Sequence, residues 1–542
     1  MIWMRLFRLN RGPMRLFLAQ MGAALAVAAL VSGCGDNYRP VINPVISNGP
    51  PPQPTSYAVA VSAPSPTAPG IVTIIDYAGD SILDETPIGP GPKLFTLDAL
   101  GSGAYTINSD GTLSNFRISP SLQANQVSTS TLPSGALPVN VTSPPAGLWI
   151  TDLSSDVVDV FFGLPQAFKL AIPVATATSQ ATLPVVVTGA PTVIGERAYV
   201  LSQNLPDTAS MTCNSPANFA AAPNGVATPF EISSNTTDPA IPVGKCPVAA
   251  VETTDQQRLY VLNRGDDTIT VINSKNDTLD SCTPFQNQNG QTVYCHPTLP
   301  LSLNAVGAIN AQCKATGSTL PPCGGPPNGT AGMTATAGPL FAEYNAAAQT
   351  LVVADYDGGT ISAIDVSLDE YGNDSATFGT TYTIPVGNTA TPNPAAVTVL
   401  YDGSKAYTAN QNDDSGTGNG TVTVVNLSTH TVEKTLTVVG HPRTVVSTQN
   451  SEYSKIYVAS PDSPFVTIIQ STPTVTDLID TTVLVEGNVV DVRVTTMNAA
   501  TNNNDYFWSR VPGYGQPCNL SPSAMVAKYG ANYSLADCQA TP

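Results

Sequence analysis

The chain has few charged side chains and very few histidines, and these shortages exclude several classes of function. Only 11% of the 542 residues are charged, and just three are histidine. A histidine-based metal centre or catalytic triad is therefore hard to assemble. Acidic residues outnumber basic ones by 39 to 21. Because an acidic surface repels phosphate backbones, we expect no nucleic acid partner.

Common catalytic and cofactor motifs are also missing. No C-x-x-C pair, P-loop, dinucleotide-binding glycine motif or G-x-S-x-G nucleophile elbow occurs. Cys295-His296 lacks the second cysteine of a haem attachment motif. The sequence therefore predicts no cofactor and no metal centre, and an enzyme is not the favoured interpretation.

The composition is poor in helix-forming patterns and rich in turn residues. Glycine and proline number 42 and 48, and threonine, asparagine and serine are abundant. Such a composition suits many short strands that are joined by tight turns. We therefore predict an all-β fold.

The long apolar run of the chain lies near its N-terminus. It extends from Leu16 to Leu30, follows four arginines and is followed by Val31-Ser32-Gly33-Cys34. About 15 apolar residues are too few for a plain transmembrane anchor, the alternative interpretation, which needs roughly 20. A basic start, an apolar core and small residues are typical of a secretory signal. The last four residues resemble the bacterial lipobox, which implies a lipoprotein with a signal peptide over 1–33 and lipidation at Cys34.

The same resemblance predicts a location and a tether. An acylated cysteine (palmitate being one of the chains expected) would hold the protein to the membrane at the bacterial cell envelope, facing the periplasm or the exterior. Gly35 rather than aspartate after the cysteine favours the outer membrane. Residues 34–56 are proline-rich and predict a semi-extended tether.

Eight further cysteines follow Cys34, and an even number in an exported protein predicts four disulfides. Zinc ligation is the less favoured alternative. The sequence allows 105 pairings of eight cysteines. Pairing of neighbours is the most economical arrangement: Cys213–Cys246, Cys282–Cys295, Cys313–Cys323 and Cys518–Cys538.

A hairpin unit recurs along the chain. Its clearest copies begin at Leu259, Leu351 and Ala406, where two β-rich runs flank a cluster of Asn, Gly and Asp. Most copies are 44 to 61 residues apart, the period of four-stranded propeller blades. Weaker copies begin near Tyr57, Ala104, Leu148, Ala198 and Ile456.

Short segments that end in glycine recur at matching places between the hairpins. We predict that each glycine reverses the chain between the outer strand of one blade and the inner strand of the next, where a positive φ favours glycine. These segments are Pro87-Ile88-Gly89, Ile241-Pro242-Val243-Gly244, Ile384-Pro385-Val386-Gly387 and Thr437-Val438-Val439-Gly440.

The strand Tyr260-Val261-Leu262-Asn263 and its copies resemble the YVTN β-propeller repeat family, over most of Tyr57–Thr496. The resemblance implies four-stranded blades and usually seven of them, whereas the hairpins here number eight, so seven or eight blades are expected. We predict that Val489–Val494 closes the ring as the inner strand of the N-terminal blade, because closure removes exposed strand edges.

Two segments depart from the repeat. One lies within the predicted propeller region 57–501, and the other follows it. Residues 274–348 carry four cysteines and must supply both missing blade strands and an insertion. Residues 502–542 form a tail with Tyr506, Phe507 and Trp508. Both are predicted to be disulfide-pinned excursions, which either bind a ligand or cover a blade edge.

Several residues could bear a function but have simpler explanations. Arg264-Gly265-Asp266 matches the integrin-binding tripeptide, yet it lies where the repeat requires a turn. The segment Asn412–Gly420 offers oxygen ligands for calcium but lacks the closing glutamate of an EF-hand. Asp355 with Asp357 is a weaker case of the same kind. His430 and His441 are predicted to be scaffold residues.

These observations favour a binding module over an enzyme. We expect a membrane-anchored lipoprotein whose propeller engages a protein or a glycan through loops on one face, together with the cysteine-rich insertion. The alternative is a lactonase-like or other hydrolase with a carboxylate or metal site in the central channel, because propellers of this type include lactonases. Fold alone does not decide between them.

Overall fold

A computed structural model describes residues 56–301 and 337–495, except 99, 144–146, 153, 164, 175–183, 189–196, 205–212, 214–218, 220–221, 233, 288–289, 291, 415, 450–452 and 473–474. Within these residues the strands form eight sheets of four or five strands and one two-stranded ribbon. The described helix content is the single 3-10 turn Ala124–Gln126. No helix in this part is long and apolar enough to cross a membrane. The fold is all-β, an eight-bladed propeller.

The blades are numbered 1 to 8 along the chain, and the strands of each blade run from first, at the axis, to fourth, at the rim. In blade 4 the fourth strand is split into two short segments. Blade 1 contains Asn488–Val494, Tyr57–Ala63, Pro69–Asp76 and Ile82–Pro90; blade 2 contains Pro92–Leu97, Gly103–Asn108, Thr112–Arg117 and Ser128–Thr131; blade 3 contains Pro138–Thr142, Leu148–Asp152, Val157–Phe162 and Ala167–Pro173; blade 4 contains Pro184–Thr188, Arg197–Ser202, Asn224–Glu231, Thr236–Thr237 and Ile241–Lys245.

The second half of the ring repeats this order. The fourth strand of blade 5 is also split, and the excursion between its two segments contains the two-stranded ribbon Phe285–Gln286 and Thr292–Val293. Blade 5 contains Pro247–Glu252, Arg258–Asn263, Thr268–Asn273, Thr278–Leu279 and Thr298–Pro300; blade 6 contains Pro339–Asn345, Thr350–Asp355, Thr360–Asp365 and Thr381–Pro385; blade 7 contains Pro394–Val399, Lys405–Asn410, Thr421–Asn426 and Thr431–Thr437; blade 8 contains Thr444–Ser447, Lys455–Ala459, Phe465–Thr472 and Val475–Leu484.

All eight hairpins expected from the repeat are present, and the first strand of each hairpin is the second strand of a blade. The weak copies near Tyr57 and Ala104 therefore mark true blades. Both faces of these strands are apolar because each blade packs between two others: Leu259 and Tyr260, which point to opposite faces, are both fully buried. The blade number is eight.

The ring closes as predicted, through a strand from the C-terminal side of the propeller. Asn488–Val494 pairs antiparallel with Tyr57–Ala63, and Ala60 lies opposite Val492 in the register. The strand thereby becomes the first strand of blade 1. Closure joins chain segments that are more than 400 residues apart and covers the inner edge of that blade.

The asparagine at the end of the repeated strand bonds the next strand of its own blade. In blade 5, Nδ2 of Asn263 donates to the hydroxyl of Thr268 at 3.1 Å and to that of Thr270 at 2.8 Å. Asn108 and Asn410 make equivalent pairs of hydrogen bonds in blades 2 and 7. The side chain thus ties the turn of each hairpin to the strand that follows it.

The glycine prediction holds for two of the four segments. Gly387 and Gly440 have φ of 73°, as a tight reversal requires. Gly89 and Gly244 do not have a positive φ; at these two blade junctions the left-handed residue lies two positions later, at Gly91 and Cys246, each with φ of 51°.

A different constraint requires glycine at these two positions. A Cβ on Gly89 would lie 2.1 Å from Nδ2 of Asn108, and a Cβ on Gly244 would lie 2.7 Å from Cγ of Asn263. The fourth strand therefore needs glycine to pass the asparagine of the adjacent hairpin, a reason that the sequence pattern does not reveal.

Buried ion pairs join several neighbouring blades. In blade 7, Nζ of Lys405 lies 2.7 Å from Oδ2 of Asp477, and the hydroxyl of Tyr407 donates to Oδ1 of the same carboxylate at 2.7 Å. Asp477 belongs to the fourth strand of blade 8. Equivalent pairs are Arg258–Asp374 between blades 5 and 6 and Lys455–Asp80 between blades 8 and 1.

Candidate functional site

The Arg-Gly-Asp tripeptide is a structural turn, as the repeat predicts. Arg264 is fully buried, and its Nε and Nη2 donate to Oδ2 and Oδ1 of Asp357 at 2.8 and 2.7 Å. The guanidinium also lies over the rings of Phe219 and Tyr356, 5.3 and 5.7 Å from their centroids. Since the arginine links blade 5 to blade 6, it is not available to an integrin-like partner.

The carboxylates of the calcium-like segment face backbone amides. Oδ1 of Asp413 accepts hydrogen bonds from the backbone N–H groups of Asn388 and Thr389. Asp414 accepts from the backbone of Thr417 at 2.7 Å and from two neighbouring amides. These hydrogen bonds lower the pKa of Asp414 below its ordinary value. Asp414 therefore organises the turn that follows it, and Asp413 ties the segment to the loop that contains Asn388 and Thr389.

Asp355 and Asp357 have separate roles. Oδ2 of Asp355 accepts from the hydroxyls of Thr360 and Ser362, in the position that asparagine occupies in blades 2, 5 and 7. Burial raises the pKa of Asp355 to about 7. Asp357 pairs with Arg264. The two carboxylates do not converge on one point, and the described residues contain no group of three His, Cys, Asp or Glu that could hold a metal ion.

Two of the four predicted disulfides are present: Cys213–Cys246 and Cys282–Cys295. The first is buried and joins the long turn of blade 4 to the start of blade 5. The second closes the excursion of blade 5 at its base. Cys34, Cys313–Cys323 and Cys518–Cys538 lie outside the described residues.

The histidines occupy three different environments. His430 stacks on Tyr382, with ring centroids 3.5 Å apart. Nδ1 of His441 lies 2.5 Å from Oδ2 of Asp462, and this hydrogen bond raises the pKa of His441 above its ordinary value, against the effect of burial. His430 joins a turn of blade 7 to the fourth strand of blade 6, and His441 joins two loops, in agreement with the scaffold prediction. His296 lies in the disulfide-bonded excursion and leads to the candidate site.

His296 connects the excursion of blade 5 to a long loop of blade 6. Its Nδ1 lies 2.8 Å from Oδ2 of Asp374, and its ring stacks on Phe378. Nη2 of Arg258 lies 3.2 Å from Asp374 and 3.3 Å from Asp280. Burial raises the pKa of Asp280, although Arg258 opposes this effect. The two excursions are therefore joined by a buried ionic cluster.

This joined surface presents aromatic side chains to solvent. Phe285 and Tyr294 lie on the disulfide-bonded excursion and are 42% and 57% exposed, and Tyr371 on the blade 6 loop is 46% exposed. We call this surface the ribbon face, defined by the described residues of 282–296 and by 369–373. Exposed aromatic rings on a rigid support are typical of binding surfaces.

Amide and carboxylate groups surround these rings. Gln286 is exposed beside Phe285, and Asn287 follows it. Burial alone would raise the pKa of Asp369, but hydrogen bonds from Asn373 and Asn287 hold it below its ordinary value. Asp369 therefore stays ionised at neutral pH and acts as a hydrogen-bond acceptor.

The His296–Asp374 pair has the form of a general base with its orienting carboxylate. Among the described residues, however, the imidazole ring contacts Asp374 and Phe378, and neither is a nucleophile. Catalysis of this type needs a nucleophile or a bound water within hydrogen-bonding distance. The geometry supports a structural joint between the two excursions.

Two glutamates on first strands bear on the hydrolase alternative. Glu343 of blade 6 accepts a hydrogen bond from Gln449 at 2.7 Å. Glu252 of blade 5 is 4% exposed. Burial, and then the charges of Asp277 and Asp255, raise the pKa of Glu252 well above its ordinary value. Both side chains are buried in this structure.

Of these site features, the cysteine spacing alone pointed to the excursion of blade 5. Phe285 and Tyr294 lie between two predicted disulfide partners, which is a usable signal. Asp374 and Tyr371 carry no such signal, because they lie in a loop of another blade.

No family model matches the chain, and no curated protein matches it. Solved structures are similar to it at low identity. A candidate 6-phosphogluconolactonase from Bacteroides fragilis has a TM-score of 0.44 and 13% identity, covering 82% of this chain and 99% of its own. Apo AztD from Citrobacter koseri has a TM-score of 0.47 and 12% identity, covering 81% and 97%. Dihydro-heme d1 dehydrogenase NirN has a TM-score of 0.48 and 12% identity, covering 84% and 79%. At these identities and TM-scores, the similarities carry no argument about function.

Proposed function

We propose that this protein is a lipid-anchored, extracytoplasmic β-propeller that binds a glycan of the cell envelope through the ribbon face. The observation that carries the proposal is the presentation of Phe285, Tyr294 and Tyr371 on two excursions that a buried ionic cluster holds together. A pre-ordered surface loses little conformational entropy when a ligand binds.

The chemistry of the ribbon face favours a glycan over a protein. Aromatic rings bury the apolar face of a sugar ring, and amides and carboxylates bond its hydroxyl groups. Gln286, Asn287 and Asp369 supply such groups beside the rings. A stable protein partner would require an interface of about 800 Å² on each side.

The proposed location rests on the lipobox-like sequence at Cys34 and the proline-rich tether. A tether of this kind would carry the propeller away from the bilayer and expose the ribbon face to envelope polymers.

The binding proposal can be tested with envelope polysaccharides. We expect the full chain, purified in detergent, to be retained on an immobilised envelope polysaccharide fraction. The double variant Tyr294→Ser, Tyr371→Ser should bind at least about tenfold more weakly, because each stacking contact contributes about 1 kcal/mol. The matched control is Phe162→Ser, Phe168→Ser, which removes two exposed rings from blade 3.

If both double variants lost binding equally, the ribbon face would not be a specific site. Unchanged binding by the Tyr294→Ser, Tyr371→Ser variant would contradict the proposal as well. Treatment of the ligand fraction with protease should leave binding intact. Loss of binding after this treatment would show that the partner is a protein.

The anchoring proposal has its own test. Cells that are labelled with a fatty-acid analogue should incorporate the label into the wild-type protein, and the Cys34→Ala variant should carry none. Label that persists in the variant would contradict lipidation at this cysteine.

A further inference from the structure

A small cleft lies near the axis of the propeller, on the face where the first strands begin, away from the ribbon face. Three consecutive blades contribute to it: blade 8, blade 1 and blade 2. Its lining includes Lys93, Arg443, Asn488, Val490, Pro66 and Pro461.

The cleft is cationic although the chain is acidic. Its lining contains one lysine, one arginine and no aspartate or glutamate, in a chain with 39 acidic and 21 basic residues. Arg443 is 5% exposed, and its Nη2 donates to the carbonyl of Val490 at 2.9 Å.

Lys93 differs from the other half-buried cations of the ring because no hydrogen bond or ion pair to its ammonium is present within the described residues. Burial lowers the pKa of Lys93, and the charge of Asp110 opposes this effect only in part. The side-chain amide of Asn488 likewise has no hydrogen-bond partner in the described part of the chain. Two donors therefore line the cleft with unused capacity.

The walls of the cleft are apolar and held in place by close backbone contacts. Val490, Pro66 and Pro461 provide apolar surface. Gly91 and Gly487 have φ of 51° and 83°, and a Cβ on either would lie within 2.4 Å of the backbone of blade 1. The volume of the cleft is about 30 Å³, which suits a head group of a few atoms.

We propose that this cleft binds the carboxylate head group of a small organic acid. The ammonium of Lys93 and the amide of Asn488 would bond its oxygens, Arg443 would add positive potential, and the apolar tail would lie against the proline and valine walls. A half-buried ammonium without a hydrogen-bond partner has lost part of its hydration, and a carboxylate compensates this loss through a charge-assisted hydrogen bond. The apolar walls favour an organic acid over an inorganic anion.

Calorimetric titration of the full chain in detergent with hexanoate tests this proposal. Hexanoate should bind and hexanamide should not. Lys93→Met should raise the Kd for hexanoate by about tenfold or more, the effect of losing one charge-assisted hydrogen bond, and Lys93→Arg should largely restore it. The matched control Lys169→Met removes an exposed cation from blade 3 and should bind as wild type.

The source of the carboxylate is distinguished by competition. A short peptide with a free C-terminus, but not its amidated form, should displace hexanoate if the site takes chain termini, and neither should do so if it takes free acids. Equal binding of hexanoate and hexanamide would overturn the proposal, as would unchanged binding by Lys93→Met or tighter binding of inorganic phosphate. The Tyr294→Ser, Tyr371→Ser variant should bind hexanoate normally, so failure at one site does not imply failure at the other.

Discussion

At the scale of single residues, Asp355 is an exception within a repeated hydrogen-bond network. Asn108, Asn263 and Asn410 end the same strand in blades 2, 5 and 7 and donate to two hydroxyls each. Asp355 accepts from its two hydroxyls through Oδ2, and its Oδ1 is buried without a partner. Asp355 therefore places a carboxyl group where blades 2, 5 and 7 use an uncharged donor.

We expect Asp355→Asn to stabilise the protein at pH 8 by about 1–3 kcal/mol. Burial raises the pKa of Asp355 from 3.8 to about 7, so the folded state holds a proton that the unfolded chain releases. The contribution of Asp355 to stability therefore falls as pH rises from about 4 to 7, and the variant lacks this fall. Urea unfolding at pH 5 and pH 8 measures the difference.

The reciprocal change Asn410→Asp is the control, and it should be more destabilising at pH 8 than at pH 5. A gain from Asp355→Asn that does not change between the two pH values would contradict the assignment of a protonated carboxyl.

At the scale of strands and blades, the few buried ion pairs between neighbouring blades should contribute strongly to the free energy of unfolding. The side chains of Lys405 and Asp477 are 6% and 2% exposed, and removing one member leaves the other buried. We expect Asp477→Ala to cost about 3–5 kcal/mol, and the double variant Lys405→Met, Asp477→Ala to cost less than the sum of the single changes.

Urea unfolding of the four proteins in this cycle measures the coupling. Lys169→Met serves as an exposed control and should change the free energy of unfolding by less than about 0.5 kcal/mol. Additive effects would mean that the pair does not join blade 7 to blade 8.

The strands and hairpins could be predicted where nearby residues in the sequence determine them. Contacts whose partners lie on another blade could not be predicted. The hairpins and the closing strand Val489–Val494 follow from period and alternation. The partners of Arg264 and Lys405 do not, because Asp357 and Asp477 lie 93 and 72 residues further along the chain. The ribbon face depends in the same way on Asp374, which lies 78 residues from His296.

A further local signal marks the start of the first strands. Six of the eight first strands begin with proline and have a bulge directly after it, which places the start of the strand at the chain reversal. These prolines are Pro92, Pro138, Pro184, Pro247, Pro339 and Pro394.

At the scale of the whole molecule, the ring makes every blade depend on a single closing strand. Each blade packs against its two neighbours, and blade 1 is completed by Asn488–Val494, which contacts blades 8 and 2. Loss of this strand would open the inner edge of blade 1 and expose unpaired backbone groups. Unfolding should therefore begin at the junction of blades 8, 1 and 2.

We expect Val492→Asp to destabilise the protein by about 3–5 kcal/mol. Val492 is fully buried, and the new carboxylate would be buried away from water. In hydrogen exchange, Asn488–Val494 and Tyr57–Ala63 should lose protection together, whereas the central strands of blades 5 and 6, on the far side of the ring, should keep theirs. The exposed control Val432→Asp on the rim of blade 7 should alter neither. Uniform loss of protection in all eight blades would instead mean that the ring unfolds as one cooperative unit and that closure is not a separable step.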